Sequence, residues 1–270
     1  MKVAVLDISR QRWFRLGYGA LTFIVIGFIY GWSLFSPPFA KEFGWDAATL
    51  SLTFTILMCS FCIGGVAGAR IMSHTTPFVA QIVSATFIGT GFLGALLVNQ
   101  EMPWILYCTY GVFGGLGVGM SYTVVIGTLI PWFPDRIGLA SGIMMMGYSC
   151  STFVLGSLAS LLFGVIGWRV TFVCFAAAIF LILATGAFVI KLPTDVQRES
   201  LLAQCAAKKL LTEENNKSKG FSWRLRKITN RSIGNSVHDF TTKQMLKHPA
   251  FYIYGMWMVL LCICSQGIIG

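Results

Sequence analysis

The stretch "WILYCTYGVFGGLGVGMSYTVVIGTLI", residues 104–130, decides the fold. It carries no charged side chain and exceeds the ~20 apolar residues needed to cross a bilayer core of ~30 Å. Its glycines Gly114, Gly115, Gly117 and Gly119 are the small residues that let membrane helices approach backbone to backbone. A glycine loop that cradles phosphate would open a helix outside the membrane, so a nucleotide site is rejected.

Working outward, runs of the same kind recur at Leu16–Phe35, Ala48–Ala69, Phe78–Val98, Gly138–Phe163, Val170–Ile190 and Phe251–Gly270. The breaks are polar or rich in Pro and Gly: "SPPFAKEFGWDA", "RIMSHTTP", "NQEMP", "PWFPDRI" and "GVIGW". Hydrophobic residues make up 56% of the chain and charged residues 11%, against about 25% charged in soluble domains. The expected fold is an all-α membrane protein: a six-helix bundle over residues 1–190, a linker over 191–248 and a seventh transmembrane helix over 251–270. The N-terminal "MKVAVLDISRQRWFRLGYG" is not read as a cleavable signal, because the apolar run after Arg15 is too long and no small-residue cleavage site follows.

Orientation follows from the basic residues, which favour the cytoplasmic side. With the N-terminus inside, only Lys41 and Arg169 of the 20 Lys and Arg fall in outer loops. The net charge of +10 is therefore expected as positive-inside bias and attraction to an anionic leaflet, not as a nucleic-acid footprint. Within the linker, "ESLLAQCAAKKLL" and "FSWRLRKITNR" suit either a headgroup surface or a solvated connection. The eight cysteines lack the companions of a metal site and are read as small buried hydrophobes, with no disulfide framework. No metal or other cofactor is expected.

Six spans, a long linker and a further span suggest bundles built from three-helix repeats. "GFIY" at 27–30 and "GMSY" at 119–122 match weakly across such a repeat and point to Tyr30 and Tyr122. No Asp, Glu, Lys, Arg or His lies within a span, which argues against a proton-coupling carboxylate in this part of the chain. The polar candidates are Tyr30, Trp32, Ser51, Tyr122 and Tyr148; each is also the kind of residue that packs helices or sits at the interface. His74, His238 and His248 all fall in cytoplasmic segments, and no nucleophile–base pair is present, so no catalytic residue is expected and an enzyme is not the reading.

Several stretches resemble one family. "YGVFGGLGVGMSY" (110–122) and "WFPDRIGLASGIMMMGY" (132–148) are similar to the fourth and fifth helices of the oxalate/formate antiporter family. That family is a branch of the major facilitator superfamily close to the monocarboxylate transporters. "IYGWSLFSPPFAKEFGW" (29–45) resembles its first helix and outer loop, "GWRVTF" (167–172) the entry to helix six, and "MLKHPAFYIYGMW" (245–257) the start of helix seven.

The resemblance implies two six-helix halves around a central cavity, of which this chain supplies the first half, the linker and helix seven. It implies that helices eight to twelve belong to a missing C-terminal bundle, in the same longer chain or a second one. The function implied is secondary active transport of small organic anions, mono- or dicarboxylates, in the plasma or inner membrane. The alternative is a truncated, inactive half-transporter or a subunit that needs a second chain. The family's first and fourth helices lend aromatic residues to the cavity, which carries substrate binding to Tyr30, Trp32 and Tyr122, with Tyr148 on helix five. The loop after helix two gates the inner side; here "GGVAGARIMSH" keeps Gly65, Gly68 and Arg70, with Ala69 where the family has Asp.

Overall fold

A computed structural model describes residues 2–203, 205, 249, 252 and 256, with side chains for all of these except residues 2–9 and Tyr30. The chain divides into two units, Met1–Lys209 and Leu210–Gly270. In the second, Pro249, Tyr252 and Met256 are helical; the remainder of the expected seventh span and most of the expected linker lie outside the described residues.

The first unit is all α among its described residues. Helix α1 (Lys2–Ile26) passes through a 3-10 turn, Gly27–Gly31, into α2 (Trp32–Phe43). Helices α3 (Ala47–His74) and α4 (Pro77–Gly94) follow. A short α5 (Pro103–Leu106) leads through a π-helical stretch, Tyr107–Gly114, into α6 (Gly115–Leu129), and α7 runs Ile137–Val189. Among the described residues, five runs are long and apolar enough to cross a membrane: Arg10–Phe43, Ala47–His74, Pro77–Leu97, Pro103–Trp132 and Ile137–Val189.

Local chemistry sets the ends. Gly44 closes α2 at φ 66, its amide donating to Ala40 O, a left-handed cap that only glycine adopts cheaply. Asp46 caps α3 by accepting from the Thr49 amide at 3.1 Å. Thr76 caps α4, whose first residue is Pro77, where the missing N–H costs nothing.

Helix α7 spans 53 residues, about 80 Å at 1.5 Å per residue, far more than one bilayer core. It breaks at Gly167, where φ is 76 and ψ 163. The chain folds back there. Along the first leg, Gly147 meets Ala20, Tyr148 and Ser151 meet Gly27, and Gly156 meets Leu34, so this leg runs parallel to α1 and α2. Along the second leg, Trp168 meets Phe39, Phe175 meets Phe28 and Gly186 meets Tyr18, so this leg runs antiparallel to them.

The same reading orders the rest. Helices α3 and α6 run parallel, since Gly64 faces Leu116 and Gly68 faces Met120. Helix α4 runs against α6, with Gln81 on Ser121 and Gly91 on Thr109. Successive crossings therefore alternate in direction. The α3–α6 contact rests on two small-xxx-small pairs, Gly64/Gly68 and Gly115/Gly119. A methyl group at Gly68 would lie 2.7 Å from Met120 Cα, and one at Gly115 would lie 2.5 Å from Leu57 O.

Two expectations change. The stretch read as a loop after helix two is helical, because α3 continues to His74. Cys59, Cys62, Cys108, Cys150 and Cys174 are exposed on the protein surface, not buried. A weakly polar thiol is at home on the apolar outer face of a membrane bundle, so burial among helices is not required.

Candidate functional site

The bundle is clasped at both ends. At the N-terminal end, Arg12 Nη1 donates to Asp135 Oδ1 at 3.0 Å, and its guanidinium lies 5.3 Å from the Phe133 ring centroid. Arg15 stacks over Trp132 at 4.1 Å and donates to Lys191 O, which also accepts from Trp132 Nε1 at 2.8 Å. The start of α1, the "WFPDR" turn and the exit from α7 are thus joined. At the other end Arg169 Nη2 pairs with Glu42 Oε1 at 2.9 Å, and Trp168 Nε1 donates to Glu42 Oε2.

Between the clasps lies an uncharged aromatic cluster drawn from four elements. Phe23 of α1 lies 5.2 Å from Tyr122 of α6 and 5.7 Å from Tyr148 on the first leg of α7, centroid to centroid. Tyr122 lies 5.6 Å from Phe61 of α3 and 5.7 Å from Tyr148. The Tyr122 hydroxyl faces Met145 Sδ at 3.7 Å. Phe23 is fully buried and Tyr148 buried, while Tyr122 is only partly so. Phe23 stands 11 residues from Arg12 along α1, so the cluster sits roughly 16 Å from the N-terminal clasp by helical rise.

This arrangement can recognise an anion without a fixed cation. Aromatic ring edges carry the positive part of the quadrupole, and a phenol is a hydrogen-bond donor. One turn beyond Tyr148, the buried Ser151 hydroxyl has no hydrogen-bond partner among the described residues. A side-chain carbon on Gly27 would meet Ser151 Cβ at 2.9 Å and Tyr148 O at 2.5 Å, so its absence lets the 3-10 turn and the first leg of α7 pack backbone to backbone here.

The expected site residues fall in different places. Tyr122 and Tyr148 come together. Trp32 does not join them: it is 5% exposed, donates through Nε1 to Leu50 O at 2.9 Å, and lies against Tyr110 at 5.1 Å and Phe39 at 6.1 Å. It belongs to a separate aromatic assembly toward the Glu42 end, with Phe35 and Phe172. Tyr30 is in the 3-10 turn Gly27–Gly31, and its side chain lies outside the described residues. Ser51 is exposed on α3. Gly65 and Gly68 lie on α3 against α6, and Arg70 is exposed near the end of α3. Phe23, Phe61, Met145 and Ser151 escaped the sequence reading, because single apolar or hydroxyl residues in apolar runs carry no signal of which partner they meet.

A family model described as "Major Facilitator Superfamily" matches residues 82–270. Among curated proteins, the chain is 24% identical over 98% of its length to the MFS-type transporter YhjX of Escherichia coli (strain K12), covering 58% of that protein. It is 24% identical to the oxalate:formate antiporter of Oxalobacter formigenes, over 96% of this chain and 54% of that one. It is 25% identical to human monocarboxylate transporter 1, over 91% of this chain and 52% of that one. The chain spans about half the length of these relatives.

Proposed function

The chain belongs to the major facilitator superfamily, and on that premise we propose that it forms the N-terminal side of a secondary transporter for small organic anions, mono- or dicarboxylates, and acts by alternating access. Its partners in that role are the substrate, the surrounding bilayer and a C-terminal bundle. The observation that carries the reading is the Phe23–Phe61–Tyr122–Tyr148 cluster. It draws on four elements that must move together, between charged clasps that hold each end of the bundle.

The substrate class is supported by two independent features. The cluster offers donors and aromatic edges with no carboxylate that would repel an anion. Two of the relatives are, by name, an oxalate:formate antiporter and a monocarboxylate transporter. Tyr122 and Tyr148 orient the anion. Trp32, in the separate aromatic assembly, acts from outside the cluster by holding α2 against α3 through its bond to Leu50, and Tyr30 is on the turn that precedes it. Gly65, Gly68 and Arg70 act on the inner gate through the α3–α6 seat. No step breaks or forms a covalent bond, so the protein is read as a carrier and not a catalyst. The N-terminus faces the cytoplasm, in a plasma or inner membrane.

The test is transport by the complete protein in proteoliposomes, offered labelled formate, oxalate, a neutral sugar and an organic cation. Uptake of one or both carboxylates, with neither of the other two, is expected. Uptake of the sugar or cation alone would overturn the substrate class.

A further inference from the structure

Away from the aromatic cluster, a groove of about 380 Å³ lies between the start of α4 and the end of α7. We propose that it binds one phospholipid with an anionic headgroup. Its volume is in the range of small-ligand sites. One wall is aromatic, Phe78 packed edge to face on Phe188 with ring centroids 5.0 Å apart, and Ile190 and Leu192 extend the apolar lining. Phe78 is 39% and Phe188 64% exposed. Two of the membrane-crossing runs end here, one at Pro77 and one at Val189, so the groove lies where acyl chains meet headgroups.

The rim carries the charge. Lys191 and Thr76 line the groove beside the apolar walls. The Lys191 backbone is fixed, because its carbonyl accepts from both Trp132 and Arg15. Its ammonium makes no ion pair among the described residues. A cation at headgroup level above a sideways-open apolar groove complements an anionic phospholipid: the phosphate meets Lys191, and a chain lies along the joined Phe78 and Phe188 rings. A free anion would satisfy the lysine but leave the aromatic wall unused; a neutral lipid would leave the lysine uncompensated, and a zwitterionic one would bring its own cation close to it.

The orientation proposed above decides only the leaflet, the inner one. The site itself rests on the groove and on Lys191, and would survive failure of the transport reading. The test is native mass spectrometry of the complete, delipidated protein titrated with dioleoyl phosphatidylglycerol or dioleoyl phosphatidylcholine. The first phosphatidylglycerol should bind more tightly than the first phosphatidylcholine. Lys191→Gln should weaken that first phosphatidylglycerol about five-fold, the worth of one surface cation near anionic lipid, and weaken phosphatidylcholine less, so that the preference shrinks. Lys191→Arg should keep the preference, and Phe188→Ala should weaken both lipids. Lys191→Gln keeps the backbone carbonyl, so the fold around Trp132 is preserved. An unchanged lipid preference in Lys191→Gln would overturn the proposal. So would full displacement of the lipid by inorganic phosphate, which would mark a free-anion site.

Discussion

At the scale of single residues, the end of α2 and the start of α3 show how much one side chain sets. Asp46 is fully exposed, yet the Thr49 side chain and amide lower its carboxyl below the ordinary carboxylate value. A depressed value means the ionised cap stabilises the fold above the unfolded carboxylate pKa of about 4 and that this contribution is lost as pH falls through the lower, folded value. Thermal unfolding of the detergent-solubilised protein should therefore lose a small increment of stability below about pH 4. Asp46→Asn, which keeps an acceptor at the cap, should remove that increment's pH dependence; an identical acid response in the variant would show that other carboxylates cause it. Trp32 teaches a different lesson at this scale. The resemblance places it in the substrate cavity, but a sequence cannot show that its indole N–H finds Leu50 O. Tyr122 and Tyr148 are nameable from the polar content of the spans and the resemblance, and Tyr122 also from the weak three-helix repeat, while their approach to 5.7 Å depends on helices far apart in the chain.

At the scale of elements, glycine decides two features. Gly167 makes α7 two antiparallel legs, and "GVIGW" signalled that turn because a φ of 76 is open to glycine and strained for other residues. Gly64, Gly68, Gly115 and Gly119 seat α3 on α6. Packed glycines are legible in α6, whereas on α3 the family resemblance assigns Gly65, Gly68 and Arg70 to a gating loop and leaves Gly64 unremarked. Gly68→Val should push α3 from the Met120 backbone and cost about 1–3 kcal/mol, the usual range for overpacking. A drop in the midpoint of thermal unfolding checks it, and an unchanged midpoint would mean that the two helices are not seated as described. The π-helical stretch Tyr107–Gly114, which buries Tyr110, Gly111 and Gly114, left no signal in the apolar pattern.

At the scale of the whole molecule, alternation of direction was legible because each apolar run had a break of its own that is polar or carries Pro or Gly. The clasps were not: "WFPDR" marked a family, but nothing in it announced that Asp135 would meet Arg12. The proposed orientation has a direct check. In a background without native cysteines, Lys41→Cys should react with a membrane-impermeant maleimide in intact cells, and Arg10→Cys only after permeabilisation. The reverse pattern would invert the protein and move the lipid groove to the outer leaflet.

The central claim is that the cluster around Tyr122 handles the transported anion. The measurement that tests it most directly is uptake of labelled carboxylate by the complete protein carrying Tyr122→Ala, at matched membrane abundance. Uptake should fall at least ten-fold, the loss of one well-placed hydrogen bond and its packing, roughly 1.4 kcal/mol or more. Uptake equal to that of the parent protein, at equal abundance, would contradict the account and remove Tyr122 from the site.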